Sequence, residues 1–260
     1  DFFPEYAPEK PDERFERLTI HNLLRMSSGK QPSFLSDKGK VDWIEDYINS
    51  PWVFEPGEKF LYINENIFML SAIINKVTGM SMREYLRPRL FEPLGIDFPF
   101  WETDQNGIEA GGWGLYLKTE DLAKVMLCYL KNGKYKGEQV IPAEWVKLAS
   151  SKQIDNSNNK PGSDSSCGYG YCFWLDHLGG FRADGMFSQF GIAFPQHNAV
   201  VVVNSSITEE QSGLDGIFEF FPKAFEEADE DTELEMTQTV PPVLSVHPEK
   251  EQEISDRYIK

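Results

Sequence analysis

The chain is poor in cysteine, with three residues in 260, poor in histidine, with four, and short of positive charge, with 25 Lys and Arg against 42 Asp and Glu. Each shortage excludes something. Cys128, Cys167 and Cys172 have neither zinc-ligand nor redox spacing, and an odd number of thiols does not make a disulfide framework. They are expected to be reduced, buried small hydrophobes. His21, His177, His197 and His247 are too scattered to suggest metal ligation. No metal, cofactor or nucleotide loop is therefore expected. A formal net charge of −17 repels phosphate backbones and anionic lipid heads, and no stretch gathers Lys and Arg into a compensating stripe. That argues against nucleic acid as a partner. No apolar run approaches the roughly 20 residues that a membrane-spanning helix needs.

What is present suits a packed core: 40% of the residues are apolar and 13% aromatic, enough for one large domain or two small ones. The first 17 residues are rich in Pro and charge, as a connecting segment would be. Thr19 then caps a helix through Ile20, Leu23 and Leu24, which Gly29 is expected to end, and Trp43 to Ile48 form a second short helix before Pro51. Pro56-Gly57-Glu58-Lys59 reads as a turn and Phe60 to Asn64 as an extended segment. A helix from about Glu65 to Val77 follows, with Ile67, Phe68, Leu70, Ile73, Ile74 and Val77 as its buried side and Gly79 as its end.

Ser81 and Glu84 have capping-box spacing for another helix, closed by Pro93, Leu94 and Gly95. Thr119 starts a helix closed by Gly133, and Pro142 opens one over Ala143 to Leu148. Strand material is expected at Tyr169 to Trp174, then at Met186 to Phe194 and Ala199 to Asn204, joined by a hairpin at Pro195 to Asn198. A last amphipathic helix carries Ile217, Phe218, Phe221 and Phe225. Helices in the middle with strands toward the end predict an α+β domain over residues 1–227, followed by an acidic tail or linker over 228–260. Trp43, Trp52, Trp145 and Trp174 read as core or cleft wall.

In an extended segment Tyr62 and Asn64, two apart, project to one side, where a phenol and a carboxamide could address a single ligand. By itself the pattern is equally that of an edge-strand Tyr and a helix-capping Asn.

Several further segments stand in one order along the chain. They are Leu23-Leu24-Arg25-Met26-Ser27-Ser28-Gly29, Pro56 to Asn64, Val77-Thr78-Gly79, Phe91-Glu92-Pro93-Leu94-Gly95, Gly111-Gly112 with Asp121-Leu122-Ala123, and Gly168-Tyr169-Gly170-Tyr171. In these the chain resembles the serine β-lactamase and penicillin-binding-protein superfamily, in its class C-like branch with esterases and D-aminopeptidases. The resemblance implies a β-lactamase/transpeptidase-like fold: an antiparallel sheet flanked by helices, plus an all-helical region. It implies a Ser-Lys-Tyr acyl-transfer site for a small amide, ester or peptide-like substrate, in which Lys and Tyr move the proton of an attacking serine.

In that family Tyr62 matches the catalytic Tyr and Asn64 the residue that orients the substrate amide. Ala183-Asp184-Gly185 falls where the family carries Lys-Thr-Gly or His-x-Gly on the strand facing the site, and the Met186 N–H would be one oxyanion donor. With Ala183 in place of a cation, the resemblance points away from carboxylate-bearing β-lactams and toward esters or small amides.

The family's Ser-x-x-Lys nucleophile has no good counterpart. The two such strings here are Ser27 to Lys30, at a helix C-terminus, and Ser157 to Lys160, in a polar loop, whereas a nucleophile needs a helix N-terminus and a desolvated lysine. The expectation is therefore that the true Ser and Lys, with the nucleophile helix and the first strands of the sheet, are missing upstream and that this chain alone is inactive. A non-catalytic protein that binds peptide-like ligands in the same cleft is the alternative.

Overall fold

The computed structural model describes residues 1–33 and 41–225. The acidic segment expected as a tail, 228–260, and His247 lie outside the described residues.

Local signals set most of the helices. Thr19 caps the helix α2 (Ile20–Leu24) in a reciprocal box with Asn22, after the single turn α1 (Arg14–Arg17). Asp42 caps α3 (Trp43–Asn49) by accepting from the Ile44 and Glu45 amides. The long helix α4 (Glu65–Thr78) ends on left-handed Gly79, and the Ser81–Glu84 capping box opens α5 (Met82–Leu86). A π-helical turn at Arg87–Phe91 leads into α6 (Glu92–Leu94), which stops at left-handed Gly95. α2, α3 and α4 enclose one core around Leu23, Trp43, Tyr47, Ile63, Phe68 and Met69, while Phe91 and Leu94 pack with Ile96 and Cys128 in another.

Beyond a pair of two-residue strands, β1 (Phe100–Trp101) with β2 (Leu115–Tyr116), come α7 (Thr119–Leu130), a small hairpin β3 (Lys134–Tyr135) with β4 (Glu138–Gln139), and α8 (Ala143–Ala149), with Pro142 at its N-cap position and no side-chain cap. The main sheet is antiparallel in the order β5 (Trp174–Leu175), β6 (Phe181–Gly185), β7 (Gln189–Phe194), β8 (Ala199–Val203), and α9 (Glu210–Phe220) follows it.

Period-two alternation splits β7 between two layers. Ala193 packs with Phe181, Met126 and Ala149 toward α7 and α8, while Phe190, Ile192 and Phe194 pack with Leu214 and Phe218 of α9. At Gly191 a Cβ would come within 2.9 Å of Met126, so the absent side chain lets α7 lie close on the sheet.

The structure departs from expectation at several places, each for a physical reason. Phe60 to Asn64 is extended but joins no ladder among the described residues, and Asn64 already has helical dihedrals. The helix after Thr19 ends at Leu24, five residues before Gly29. Along α4 the fully enclosed positions are Phe68, Met69, Ala72 and the polar Glu65, Asn66 and Ser71, while Val77 is 59% exposed, because the core lies on the face shared with α2 and α3. The stretch 169–174 contributes only Trp174 to a regular strand. Met186 does not begin a strand: Met186-Phe187-Ser188 is the turn of the β6–β7 hairpin, with Phe187 and Ser188 left-handed. Of the three thiols, all free, only Cys128 is buried; Cys167 is intermediate and Cys172 exposed.

Candidate active site

Tyr62 is held at the end of a segment stitched to the loop after α2. The Gly57 amide donates to the Ser27 carbonyl at 2.7 Å, the Leu61 amide to the Met26 carbonyl at 2.8 Å, and Ile63 is buried in the helical core. With Ile63 inward, Tyr62 and Asn64 are left on the outer side, both exposed. The Tyr62 ring stacks on Trp174 at 5.3 Å and 24° and meets Tyr169 edge-on at 6.3 Å, with Phe60 closing the cluster against both. Although 38% of Tyr62 is open to solvent, its surroundings strip water from the phenol. That desolvation, then the charges of the Cys172 thiol, Asp184 and Glu210, push its pKa up to about 12. The phenol is therefore a proton donor at neutral pH, and it becomes a base only where a nearby cation brings its pKa down.

The sheet supplies the opposite part of the wall. Trp174 pairs with Arg182, Arg182 with Ile192 and Asp184 with Phe190, so Trp174, Arg182 and Asp184 project from the face that α9 covers. Arg182 is fully buried: its Nε donates to Asp184 at 3.0 Å, its Nη1 to the carbonyls of Leu175 and Asp164 at 3.1 and 3.3 Å, and its guanidinium lies 6.0 Å from the Trp174 ring centre. Asp164 in turn holds His177 at 2.6 Å. Burial outweighs the Arg182 charge and raises the Asp184 carboxyl to about 6, and its Oδ1 accepts no hydrogen bond.

Of the residues singled out from the sequence, the structure joins Tyr62 and Asp184 through Trp174 and Arg182. Asn64 lies instead against Gly112, where a Cβ would stand 3.1 Å from the Asn64 carbonyl oxygen and 3.3 Å from its side chain. Left-handed Gly111 passes the Ile67 carbonyl at a distance that a Cβ would shorten to 2.7 Å, so the diglycine skirts the first turn of α4 as no larger pair could. Ala183 projects to the other face of the sheet and packs in the α7 and α8 core, so Asp184, one residue on, is the member of the triplet that faces the Tyr62 wall. Gly185 ends β6, and Met186, 73% exposed, stands at the hairpin tip.

Neither Ser-x-x-Lys string forms a dyad. Ser27 is buried, its hydroxyl 3.4 Å from the Asn22 carbonyl and 3.0 Å from Arg25 Nε, whereas Lys30 sends its Nζ to the carbonyls of Ile48 and Ser50, both at 2.8 Å, inside a cage of Phe15, Tyr47 and Trp52 rings. Ser157 bonds Asp155 in an exposed loop. Among the described residues no group of three or more His, Cys, Asp or Glu is arranged to hold a metal ion, and no helix is long and apolar enough to cross a membrane.

The sequence offers Trp174 only as core or cleft wall and gives no site role to Tyr169, Phe60, Arg182 or Glu210. The aromatic density of 169–174 was the signal for the first two. Arg182 and Asp184, spaced i and i+2, could have been paired on one face only with β6 recognised as a strand.

Known proteins share this chain's family and fold. A family model described as Beta-lactamase matches residues 3–217. The chain is 25% identical over 181 residues to an uncharacterized protein of Alkalihalophilus pseudofirmus, covering 57% of this chain and 52% of that protein. It is 24% identical over 210 residues to a putative D-alanyl-D-alanine carboxypeptidase of Escherichia coli, covering 57% of this chain and 48% of that protein. The chain thus spans about half the length of these curated relatives. Among solved structures, a putative 6-aminohexanoate-dimer hydrolase from Bacillus anthracis superposes with a TM-score of 0.69 at 20% identity, over 86% of this chain and 63% of the other. The octameric penicillin-binding protein homologue from Pyrococcus abyssi gives 0.64 at 22%, over 86% and 60%. At such identities the likeness is one of fold, and that fold is the α+β, β-lactamase/transpeptidase-like one.

Proposed function

The chain belongs to the beta-lactamase family of serine hydrolases, and on that premise we propose that it supplies the tyrosine-bearing wall of a site that opens an amide or ester through an acyl-enzyme. In such a reaction a serine oxygen bonds to the substrate carbonyl carbon, the alcohol or amine leaves with a proton, and water then hydrolyses the acyl-enzyme. Tyr62 is the group that gives the leaving atom its proton. Asn64, at the start of α4, orients the substrate amide. The Met186 N–H, in the turn after Gly185, serves as one oxyanion donor in this reading.

The observation that carries this reading is the fixed placement of the Tyr62 phenol: stacked on Trp174, it lies on the sheet face from which Asp184 projects. A protonated phenol with a pKa of about 12 suits delivery of a proton to a departing amine or alkoxide. With Ser27 and Lys30 turned to separate partners and Ser157 in an exposed loop, neither Ser-x-x-Lys string supplies the nucleophile and its lysine in this reading. The chain by itself then binds substrate without forming an acyl-enzyme.

The test is covalent labelling with a fluorophosphonate that reports activated serines. The chain alone is expected to stay unlabelled, and an adduct on Ser27 or Ser157 would refute the assignment. In a protein that joins these residues to a Ser-x-x-Lys helix, Tyr62→Phe should lower kcat by about 10² to 10⁴, the range for a general acid–base group. Absence of labelling in that longer protein too would favour a cleft that only binds peptide-like ligands.

A further inference from the structure

How the turn that carries the Met186 N–H keeps its shape can be read from the side chains behind it, an inference that rests on the reading above. The last register pair of the β6–β7 hairpin is Gly185 with Gln189, which leaves Met186, Phe187 and Ser188 as the loop. Phe187 and Ser188 stand at φ 64° and 63°, and neither is a glycine. A bulky residue in that left-handed region is strained, and it stays there only where its surroundings impose it. What imposes it here is the segment between β8 and α9. The Gln189 carboxamide donates through Nε2 to the Ser205 carbonyl and accepts at Oε1 from the Ser205 amide at 3.4 Å, so it engages both backbone groups of one residue. The same Nε2 lies 3.5 Å from the Phe187 carbonyl. Ser188 is buried, and its Oγ donates to the Ile207 carbonyl at 3.0 Å. The segment is itself anchored: the Ile207 amide donates to Ser205 Oγ at 3.2 Å, and the Asn204 side chain reaches Thr119, the first residue of α7, at 3.0 Å. At Gly185 a Cβ would come within 2.9 Å of the Gln189 Cβ, so the glycine makes room for that side chain. The Met186 N–H, by contrast, donates to nothing among the described residues.

We propose that Gln189 is a positioning residue of this site, with Ser188 as a second fastening. By tying the β6–β7 turn to Ser205 and Ile207, the two side chains hold Phe187 and Ser188 left-handed and keep the Met186 N–H turned toward the substrate oxygen. Neither side chain touches the substrate. Their effect passes through the backbone of residues 186–188. It is largest where negative charge develops on that oxygen, because a displaced donor loses more in the transition state than in the ground state. Loss of the fastening therefore lowers kcat more than it raises KM. A glycine at position 187 takes the left-handed conformation without being held, so it makes the fastening less needed.

The first experiment needs no turnover. Chymotrypsin cleavage after the exposed Phe187 is followed in the 260-residue chain without denaturant, well below Tm. Gln189→Met keeps the length of the side chain and removes its hydrogen bonds, and cleavage is expected to be about 10-fold faster than in the parent, because proteolysis tracks the population of the opened turn. Ser188→Ala, a smaller change in a buried place, should act in the same direction by about 3-fold, and it decides the matter should Gln189→Met fail to fold. Equal rates in parent and variant would overturn the inference. The second experiment is turnover of a p-nitrophenyl ester, per titrated active site, by a protein that joins these residues to a Ser-x-x-Lys helix. Gln189→Met should lower kcat about 10- to 100-fold, less than removal of a whole oxyanion donor, with KM within about 2-fold. Adding Phe187→Gly should recover most of that loss. A purely structural Gln189 would lower Tm and leave kcat per site in place. Unchanged kcat, or a loss that Phe187→Gly does not reverse, would overturn the inference. Tyr62→Phe in the same protein separates it from the reading beneath it: where Tyr62→Phe lowers kcat and Gln189→Met does not, acyl transfer stands and the positioning role alone falls.

Discussion

Removing the Asp184 carboxylate should change how the chain's stability depends on pH, by an amount that follows from its surroundings. The folded environment raises this carboxyl from 3.8 to about 6, chiefly by desolvation against the opposing pull of Arg182. Between those two values the folded chain holds a proton that the unfolded chain has released. Stability contributed by this group is thus fully present below pH 3.8 and is lost as pH rises through about 6. The difference corresponds to about 3 kcal/mol, a ceiling because the side chain keeps 18% of its surface in solvent. Asp184→Asn has no proton to lose. Urea denaturation of both forms at intervals from pH 3.5 to 7.5 should therefore show the stability of the parent relative to the variant falling by roughly 1 to 3 kcal/mol across the window. A flat difference, or one that rises with pH, would place the carboxylate in a solvated or cation-dominated setting. That result would remove the physical basis for a desolvated acidic wall beside Tyr62.

Four other outcomes follow from the geometry. Burial lowers Lys30 from 10.5 to about 8, so across that window the unfolded chain binds a proton the folded one lacks, and denaturation should show the parent gaining up to about 3 kcal/mol over Lys30→Met as pH rises. Phe68, wholly enclosed at the centre of the helical core, should cost about 3 to 5 kcal/mol on change to Ala, read as a lower urea midpoint with native-like secondary structure at zero denaturant. Ser81→Ala removes one half of the α5 capping box and should cost about 1 kcal/mol by the same measurement. Gly112→Ala puts a Cβ 3.1 Å from the Asn64 carbonyl oxygen and 3.3 Å from its side chain, so the start of α4 must shift and thermal denaturation should show a lower Tm; an unchanged Tm would mean that this close approach is not needed.

Helix boundaries were legible where a single residue's chemistry decides them, as at Thr19, Ser81, Gly79 and Gly95. What could not be read was which face of an element would be covered. The apolar stripe of α4 suggested Val77 as buried, yet Asn66 and Ser71 are enclosed and Val77 is not, since tertiary contacts from α2 and α3 choose the face. β6 was obscure because Phe181-Arg182-Ala183-Asp184-Gly185 carries two charges, which become tolerable inside only once they pair with each other across the pleat. Nor could the sequence show which face Ala183 takes: the register that turns it inward is set by β7, not by its own neighbours. Phe60 to Asn64 was legible as an extended segment, but that the loop after α2 would hold it, through Leu61 N–H to the Met26 carbonyl, was not.

The most direct measurement of the central claim is steady-state turnover of a p-nitrophenyl ester by a protein that carries these residues together with a Ser-x-x-Lys helix, compared with its Tyr62→Phe form. A kcat lower by 10²- to 10⁴-fold at unchanged Tm is the predicted result, the range for losing a general acid–base group. Equal kcat in the two forms would contradict it, leaving the phenol as part of an aromatic wall and nothing more.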